Sequence, residues 1–237
     1  ARRARASFHR HKTAMLVSKR MTRDPVAVSP GQSLAEALRL TREHRIRHLP
    51  VVEGGEVVGI VSDRDIRLAL PSPLAAADPE GARFVRDTPV SAIMAREVIT
   101  VGPWDAVEDA ARLLHRHRIG ALPVVDAHGR LLGILSETDV LHAFVELLGP
   151  SGASSRLEVA MDDRAGELAR AMHVVGEERR VNVCSMMVPP GRPGDRRVAI
   201  LHVNTIDPRE VIQALESAGF EVGWPSLETD PRRAGGA

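Results

Sequence analysis

The chain has one cysteine, Cys184, in 237 residues. No disulfide can form within it, which fits a reducing compartment, and a cytoplasmic location is expected. Tyrosine is absent, and there are four phenylalanines and two tryptophans. An aromatic platform for stacking single-stranded nucleic acid is therefore lacking. No excess of one charge exists either: 32 Lys+Arg against 31 Asp+Glu leave a formal net charge of +1. That argues against nucleic-acid binding driven by overall charge. No apolar run reaches the roughly 20 residues that span a bilayer, and no signal-peptide pattern is visible. There is no P-loop and no G-x-G-x-x-G. His9, His11 and His128 have no nucleophile or metal-ligand spacing beside them, and His115 and His117 are too close to share a helix face. No metal is expected, and the chain is not expected to be an enzyme. A hydrophobic content of 43% still leaves enough for a sizeable core, and the length suggests one to two domains.

What is present is a pattern stated twice. Residues 17–70 and 90–144 repeat at an offset of 73 positions. Val17, Ser18, Met21, Arg23, Val28 and Pro30 recur as Val90, Ser91, Met94, Arg96, Val101 and Pro103. His44-Arg45-Ile46 recurs as His117-Arg118-Ile119, and Leu49-Pro50-Val51-Val52 as Leu122-Pro123-Val124-Val125. One added turn residue moves the offset to 74, so Gly59-Ile60, Ser62 and Asp65 recur as Gly133-Ile134, Ser136 and Asp139. A repeat this long is a whole supersecondary unit. Two in tandem pack as a pseudo-symmetric pair with a groove between them.

Within each repeat the periodicity predicts β-α-β-β-α. Val26 with Val28, and Ile99 with Val101, read as a short strand. Ser33 with Glu36, and Asp105 with Glu108, read as capping boxes. Leu34, Ala37, Leu38 and Thr41 then share a helix face, as do Val107, Ala110, Ala111 and Leu114. Leu49–Val52 and Leu122–Val125 are strands. They turn at Glu53-Gly54-Gly55 and at 126–129 into Val57–Val61 and Leu131–Leu135. A second helix begins at Ser62 or Ser136 and runs to about Leu70 or Phe144. Residues 1–14 read as a disordered basic tail or extension, with Met15 as the natural start and a nucleic-acid arm as the minor reading. Repeat 1 is placed at 15–75, and a proline-rich linker with repeat 2 at 76–149. After a linker-like break at 150–155, a third unit at 156–225 reads β-α-β-β-α-β, which is ferredoxin-like. Its strands are Leu157–Met161, Val181–Val188, Arg197–Val203 and Phe220–Val222. Its helices are Glu167–Glu177 and one from Pro208 to before Gly219. Cys184 is expected in its core. Residues 226–237 read as a disordered tail.

Two constellations carry chemistry. Ser62-Asp63-Arg64-Asp65 and Ser136-Glu137-Thr138-Asp139 each follow an apolar strand and open a helix. Free N–H groups and a partial positive charge there suit phosphate. The acid at the fourth position suits a ribose diol. The same Ser-x-x-Asp spacing is also a helix cap, and both roles can coexist. His48-Leu49-Pro50 and Ala121-Leu122-Pro123 place a proline at a strand start, where the preceding carbonyl and side chain can face a groove or merely begin the strand. His44, Arg45, His117 and Arg118 fall near helix C-termini, where cations are favoured; phosphate binding is their second reading.

These residues resemble a tandem pair of cystathionine-β-synthase (CBS) domains, also called a Bateman module. The resemblance rests on Met21, Val26–Val28, Arg45-Ile46, Leu49–Val52 and Gly59–Ser62 with Asp65. In the second copy it rests on Met94, Ile99–Val101, Arg118–Gly120, Leu122–Val125 and Gly133–Ser136 with Asp139. It implies a disc-like pair binding an adenine nucleotide (AMP, ADP or ATP) or S-adenosylmethionine between the repeats. By that resemblance Asp65 and Asp139 hold ribose hydroxyls, and Ser62, Arg64 and Ser136 lie near phosphates. Val26, Ala27, His48, Ile99, Thr100 and Ala121 line the base pocket, and Leu49, Pro50, Leu122, Pro123 and Thr138 are further nucleotide-binding positions. Thr100 replaces Ala27 and Thr138 replaces Arg64, so unequal sites are implied. The third unit resembles an ACT domain through Asp162–Arg170. A carboxylate ligand such as an amino acid is implied at Asp163, Arg164, Ala165, Gly166 and Glu167, with dimerisation alone as the other reading. A CBS pair followed by an ACT domain resembles the acetoin-utilisation-type regulatory proteins of bacteria. The expected fold class is α+β. The expected function is a cytoplasmic, homodimeric regulatory sensor acting on an unidentified protein, with no membrane or nucleic-acid partner. The alternative is a structural dimerisation module with vestigial nucleotide sites.

Overall fold

The computed structural model describes residues 15–69, 83, 86–147, 154–191 and 196–224. The tails expected at 1–14 and 226–237, and most of the proline-rich linker, lie outside the described residues. The chain divides into two compact units, Ala1–Ala143 and Phe144–Ala237.

The first unit holds both repeats. Repeat 1 contains α1 (Val17–Arg20), β1 (Thr22–Arg23), α2 (Leu34–Glu43), β2 (His48–Glu53), β3 (Glu56–Ser62) and α3 (Asp63–Ala69). Repeat 2 contains a 3-10 turn (Val90–Ala92), α4 (Val107–His117), β4 (Ala121–Val125), β5 (Leu131–Ser136) and α5 (Glu137–Leu147). The Ser33 hydroxyl accepts the Glu36 N–H at 3.2 Å and starts α2. Leu34, Ala37, Leu38 and Thr41 then form its buried face. In α4 Val107, Ala110 and Leu114 are buried. The hairpins β2–β3 and β4–β5 are antiparallel, with equivalent register shifts after Val51 and Val124.

Two expectations are corrected. Asp105 and Glu108 do not form a capping box. The N-cap of α4 is Ala106, which has no side chain to cap with. Asp105 instead accepts the Gly102 N–H at 2.7 Å, as Gln32 accepts the Ser29 N–H at 2.6 Å, so its counterpart is Gln32 and not Ser33. Nor do Val26–Val28 and Ile99–Val101 form strands. Only Val28 and Val101 reach the hairpins, through single parallel bridges to Val51 and Val124. Pro30 and Pro103 carry no N–H to extend the pairing.

The repeats do not pack as sequence blocks. Residues 15–23 dock on repeat 2, and residues 88–95 dock on repeat 1. The Val17 N–H donates to Asp105 O at 3.0 Å, and its counterpart Val90 donates to Gln32 O at 2.8 Å. Ser18 donates to Pro103 O, and Ser91 to Pro30 O, both at 2.9 Å. β1 pairs with β5 through Thr22 and Ile134, while Ala95 bridges Ile60. The cores follow the same exchange. Val17 is fully buried among Val101, Val107, Leu122 and Leu135, and Val90 among Val28, Leu34, Leu49 and Val61. Burial of each valine contributes about 1.5–3 kcal/mol. The hairpin tips also meet, Val57 N–H donating to Gly129 O and Leu131 N–H to Gly55 O, both at 3.2 Å.

The second unit contains β6 (Ser155–Met161), α6 (Glu167–His173), a π-helical turn (Val174–Glu178), β7 (Val183–Met187), β8 (Arg197–Val203), α7 (Arg209–Ser217) and β9 (Glu221–Gly223). The sheet order is β7-β8-β6-β9, antiparallel throughout, which is the ferredoxin-like arrangement. Leu157, Val159, Leu201, Leu215 and Phe220 lie in its core. The helix expected over Glu167–Glu177 widens into the π turn after His173, which buries both Val174 and Val175. Cys184 is not in the core. It is half-exposed at the register shift between Val183 and Ser185, because the bulge breaks the inward alternation there.

Two glycines register the exchange. A Cβ on Gly133 would lie 2.6 Å from Met21 Sδ and 2.8 Å from the Thr22 carbonyl oxygen. At Gly59 the equivalent distances are 2.6 Å to Met94 Sδ and 3.2 Å to the Ala95 carbonyl oxygen. A methionine tip can move, whereas a paired backbone oxygen cannot. Gly133→Ala is therefore expected to lower the unfolding free energy by about 1–3 kcal/mol, and Gly59→Ala by less, as read by urea denaturation. Equal losses would contradict this packing.

Candidate functional site

The exchange creates two clefts. The first, of about 450 Å³, sets Thr22, Asp24, Pro25, Val26 and 44–48 of repeat 1 against Ile134, Ser136, Thr138 and Asp139 of repeat 2. The second, of about 650 Å³, sets Ala95, Glu97, Val98, Ile99 and 118–121 of repeat 2 against Ile60 and 62–65 of repeat 1. The two are related by the internal repeat. Each combines the Ser-x-x-Asp turn of one repeat with the apolar segment of the other. Asp139 thus shares a cleft with Val26, and Asp65 with Ile99. Arg47, His48 and Ala121 line both clefts.

The Ser-x-x-Asp turns are built identically. The Asp65 Oδ2 accepts the Ser62 N–H at 2.9 Å and the Ser62 hydroxyl at 2.6 Å, while the Ser62 Oγ accepts the Asp65 N–H at 3.1 Å. In repeat 2 the corresponding distances are 2.8, 2.7 and 3.3 Å. One carboxylate oxygen is therefore spent on starting the helix. The other, Oδ1, has no hydrogen-bond partner among the described residues, and both aspartates line a cleft. Capping and ligand capture are compatible on these two side chains.

Of the remaining sequence-predicted residues, Ser62, Arg64, Ser136, Thr138, Val26, Ile99, His48 and Ala121 line clefts. Leu49 and Leu122 are fully buried in the repeat cores, and Pro50 and Pro123 are buried too. Ala27 is half-buried and Thr100 exposed, and neither lines a cleft. The proline stretches thus hold the strands in place and leave the cleft wall to the residues before them.

Sequence reasoning passed over Arg47. Its Nη2 donates to Thr138 Oγ1 at 3.1 Å, across the repeats. Only the non-local pairing reveals it. Arg45 and Arg118 received the helix-terminus reading, yet both line clefts. Both hold the left-handed conformation, with φ of 54° and 53°. A glycine would adopt it without strain. Asp24, Glu97 and Glu137 complete the charged walls.

In the second unit Gly166 has φ 96° and caps α6. Asp162 pairs with Arg164, Asp163 lies 3.7 Å from Arg197, and Glu167 pairs with Arg170 at 2.7 Å. The acidic groups of this loop are matched by arginines, and Arg170 also lies 4.5 Å above the Phe220 ring centroid. No group of His, Cys, Asp and Glu among the described residues could hold a metal ion. No described helix is long and apolar enough to cross a membrane.

Comparison with known proteins agrees with the geometry of the first unit. The family model for the CBS domain matches residues 17–72 and again 90–146. A CBS domain-containing protein of Dictyostelium discoideum is 33% identical over 138 residues, covering 57% of this chain and 95% of that protein. The chain belongs to the CBS-domain family. It carries a tandem CBS pair. An inosine-5′-monophosphate dehydrogenase of Korarchaeum cryptofilum is 35% identical over 159 residues, covering 65% of this chain but only 30% of the dehydrogenase. A solved structure of CBSX2 in complex with AMP is 33% identical and covers 56% of this chain and 97% of that one, with a TM-score of 0.47.

His48 sits at the wall shared by the two clefts of the CBS pair. Its pKa is held below the usual 6.5, first by burial and then by the Arg47 charge, against the pull of Asp63, Asp65 and Glu137. A histidine charged more readily in the unfolded chain weakens folding as pH falls below that usual value. His48→Gln is expected to make the loss of stability between about pH 7 and pH 5 shallower. An NMR titration should place the His48 midpoint below 6.5. A midpoint at or above that value contradicts the burial argument.

Proposed function

We propose that the chain is a regulatory sensor whose CBS pair binds an adenosine-containing ligand, either AMP, ADP or ATP or S-adenosylmethionine. The observation that carries this reading is the pair of aspartates, Asp65 and Asp139. Each has one oxygen on a helix cap and the other without a hydrogen-bond partner among the described residues, in a cleft of 450–650 Å³. Those volumes fall within the roughly 300–1,000 Å³ of small-molecule sites. A ribose diol offers two hydroxyl donors to such a carboxylate. The apolar segments at Val26 and Ile99 suit the flat face of a base.

The mechanism follows from where the clefts lie. Each wall comes from a different repeat, so a ligand bridges the two. A ligand that fits one arrangement better shifts the population toward it, and only that difference in affinity can carry a signal. The second unit, whose ferredoxin-like order accords with an ACT domain, then senses an amino acid or supplies a dimer contact. The order of units supports a reading as an acetoin-utilisation-type regulator, a cytoplasmic homodimer acting on another protein without catalysis. The other reading is a dimerisation module with vestigial clefts.

Thermal unfolding with a panel of adenosine ligands separates the two. A ligand at about 100 times its dissociation constant adds about 2.7 kcal/mol, a plainly visible rise in Tm. A rise that disappears in Asp65→Ala or in Asp139→Ala says which cleft the ligand occupies, and every rise is expected to vanish in the double variant. No shift with any ligand favours the dimerisation module.

A further inference from the structure

We infer, on the adenosine reading above, that the two clefts take different ligands: the Asp139 cleft a nucleoside 5′-phosphate engaged by Arg47, and the Asp65 cleft an adenosyl ligand without a phosphate. The reason lies where the clefts meet. By the repeat, Arg47-His48 is equivalent to Gly120-Ala121. A Cβ on Gly120 would lie 2.7 Å from His48 Cε1 and 2.9 Å from Nε2. The imidazole occupies the space that a side chain at 120 needs. Of the two equivalent positions only 47 carries an arginine, and although Arg47 lines both clefts, one hydrogen bond ties its guanidinium to a single side.

The hydrogen bond from Arg47 to Thr138 decides which cleft that is. It ties the guanidinium to Thr138, which lines the Asp139 cleft and not the other. The Asp139 cleft then has Arg45 and Arg47 against Asp24 and Asp139. The Asp65 cleft has Arg64 and Arg118, with Arg47 at the shared wall but tied to Thr138, against Asp63, Asp65, Glu97 and Glu137. Asp63 is partly satisfied by Arg67 at 3.1 Å, but the excess of carboxylates remains. A phosphate meets a guanidinium held at Thr138 in the first cleft, and in the second it meets Asp65, Glu97 and Glu137 against Arg64 and Arg118. A neutral thioether or a cationic sulfonium at the 5′ position is not repelled by the second. Both clefts keep an aspartate Oδ1 for the ribose, so the nucleoside is read alike and the 5′ substituent is read differently.

The test is titration calorimetry of the full chain with AMP and with 5′-methylthioadenosine. It uses the wild type, Asp65→Ala, Asp139→Ala and Arg47→Ala, with far-UV CD to confirm folding. AMP binding is expected to survive Asp65→Ala and to be lost in Asp139→Ala. Methylthioadenosine is expected to show the reverse. Arg47→Ala should weaken AMP about tenfold or more, the scale of a charged hydrogen bond, and weaken methylthioadenosine by clearly less. Arg47→Gln carries the same expectation if the alanine variant does not fold. AMP lost in Asp65→Ala, or AMP affinity unchanged in the Arg47 variants, overturns the assignment while leaving the adenosine reading intact. Binding of neither ligand to the wild type removes the adenosine reading and this inference with it.

Discussion

The structure of the first unit depends on a reciprocal exchange. Each repeat lends its first segment to the core of the other. Val17 fills a hollow in repeat 2, and Val90 fills the equivalent hollow in repeat 1. Neither hairpin and helix pair closes its own core. The backbone follows the side chains: Thr22 pairs with Ile134, and Ala95 with Ile60. Glycine at 59 and at 133 leaves room for Met94 and Met21 at those crossings. The clefts are a consequence. A chain leaving its docked segment must run back to its own repeat, and its path past Val26 or Ile99 forms the wall opposite the partner's Ser-x-x-Asp turn.

Symmetry is broken where the repeats meet. Two equivalent strands begin side by side, with Arg47-His48 on one and Gly120-Ala121 on the other. The bulky pair lies over the small one, as the contact of His48 with Gly120 demonstrates. Duplication supplies two similar clefts, and this local difference makes them chemically unequal. The aspartates show a second economy: one oxygen holds the helix start while the side chain lines a cleft, so the proposed recognition would share a side chain with the helix cap.

Much of this was legible in the sequence, for definite reasons. Repeat spacing exposed both Ser-x-x-Asp turns, and hydrophobic alternation located β2–β5 and the ferredoxin-like order of the second unit. Ser33 was a readable cap because its bond is local. Asp105 misled because it stands one place before the true cap position, Ala106, and satisfies a turn instead. Cys184 misled because a bulge shifts the alternation that predicted its burial. The exchange, the pairing of Asp65 with Ile99, and the reach of Arg47 to Thr138 depend on contacts between distant residues. No local pattern encodes them, so the sequence listed the site residues without sorting them into clefts.

Hydrogen exchange on Val90→Ala tests the exchange of segments most directly. This substitution removes methyl groups from a side chain that belongs to repeat 2 in sequence and repeat 1 in packing. The account predicts faster exchange for the amides of β2 and β3, including Leu49, Val51 and Val61, at least as marked as for β4 and β5. Loss of protection confined to β4 and β5 would show that repeat 2 keeps its own segment, and would contradict the account.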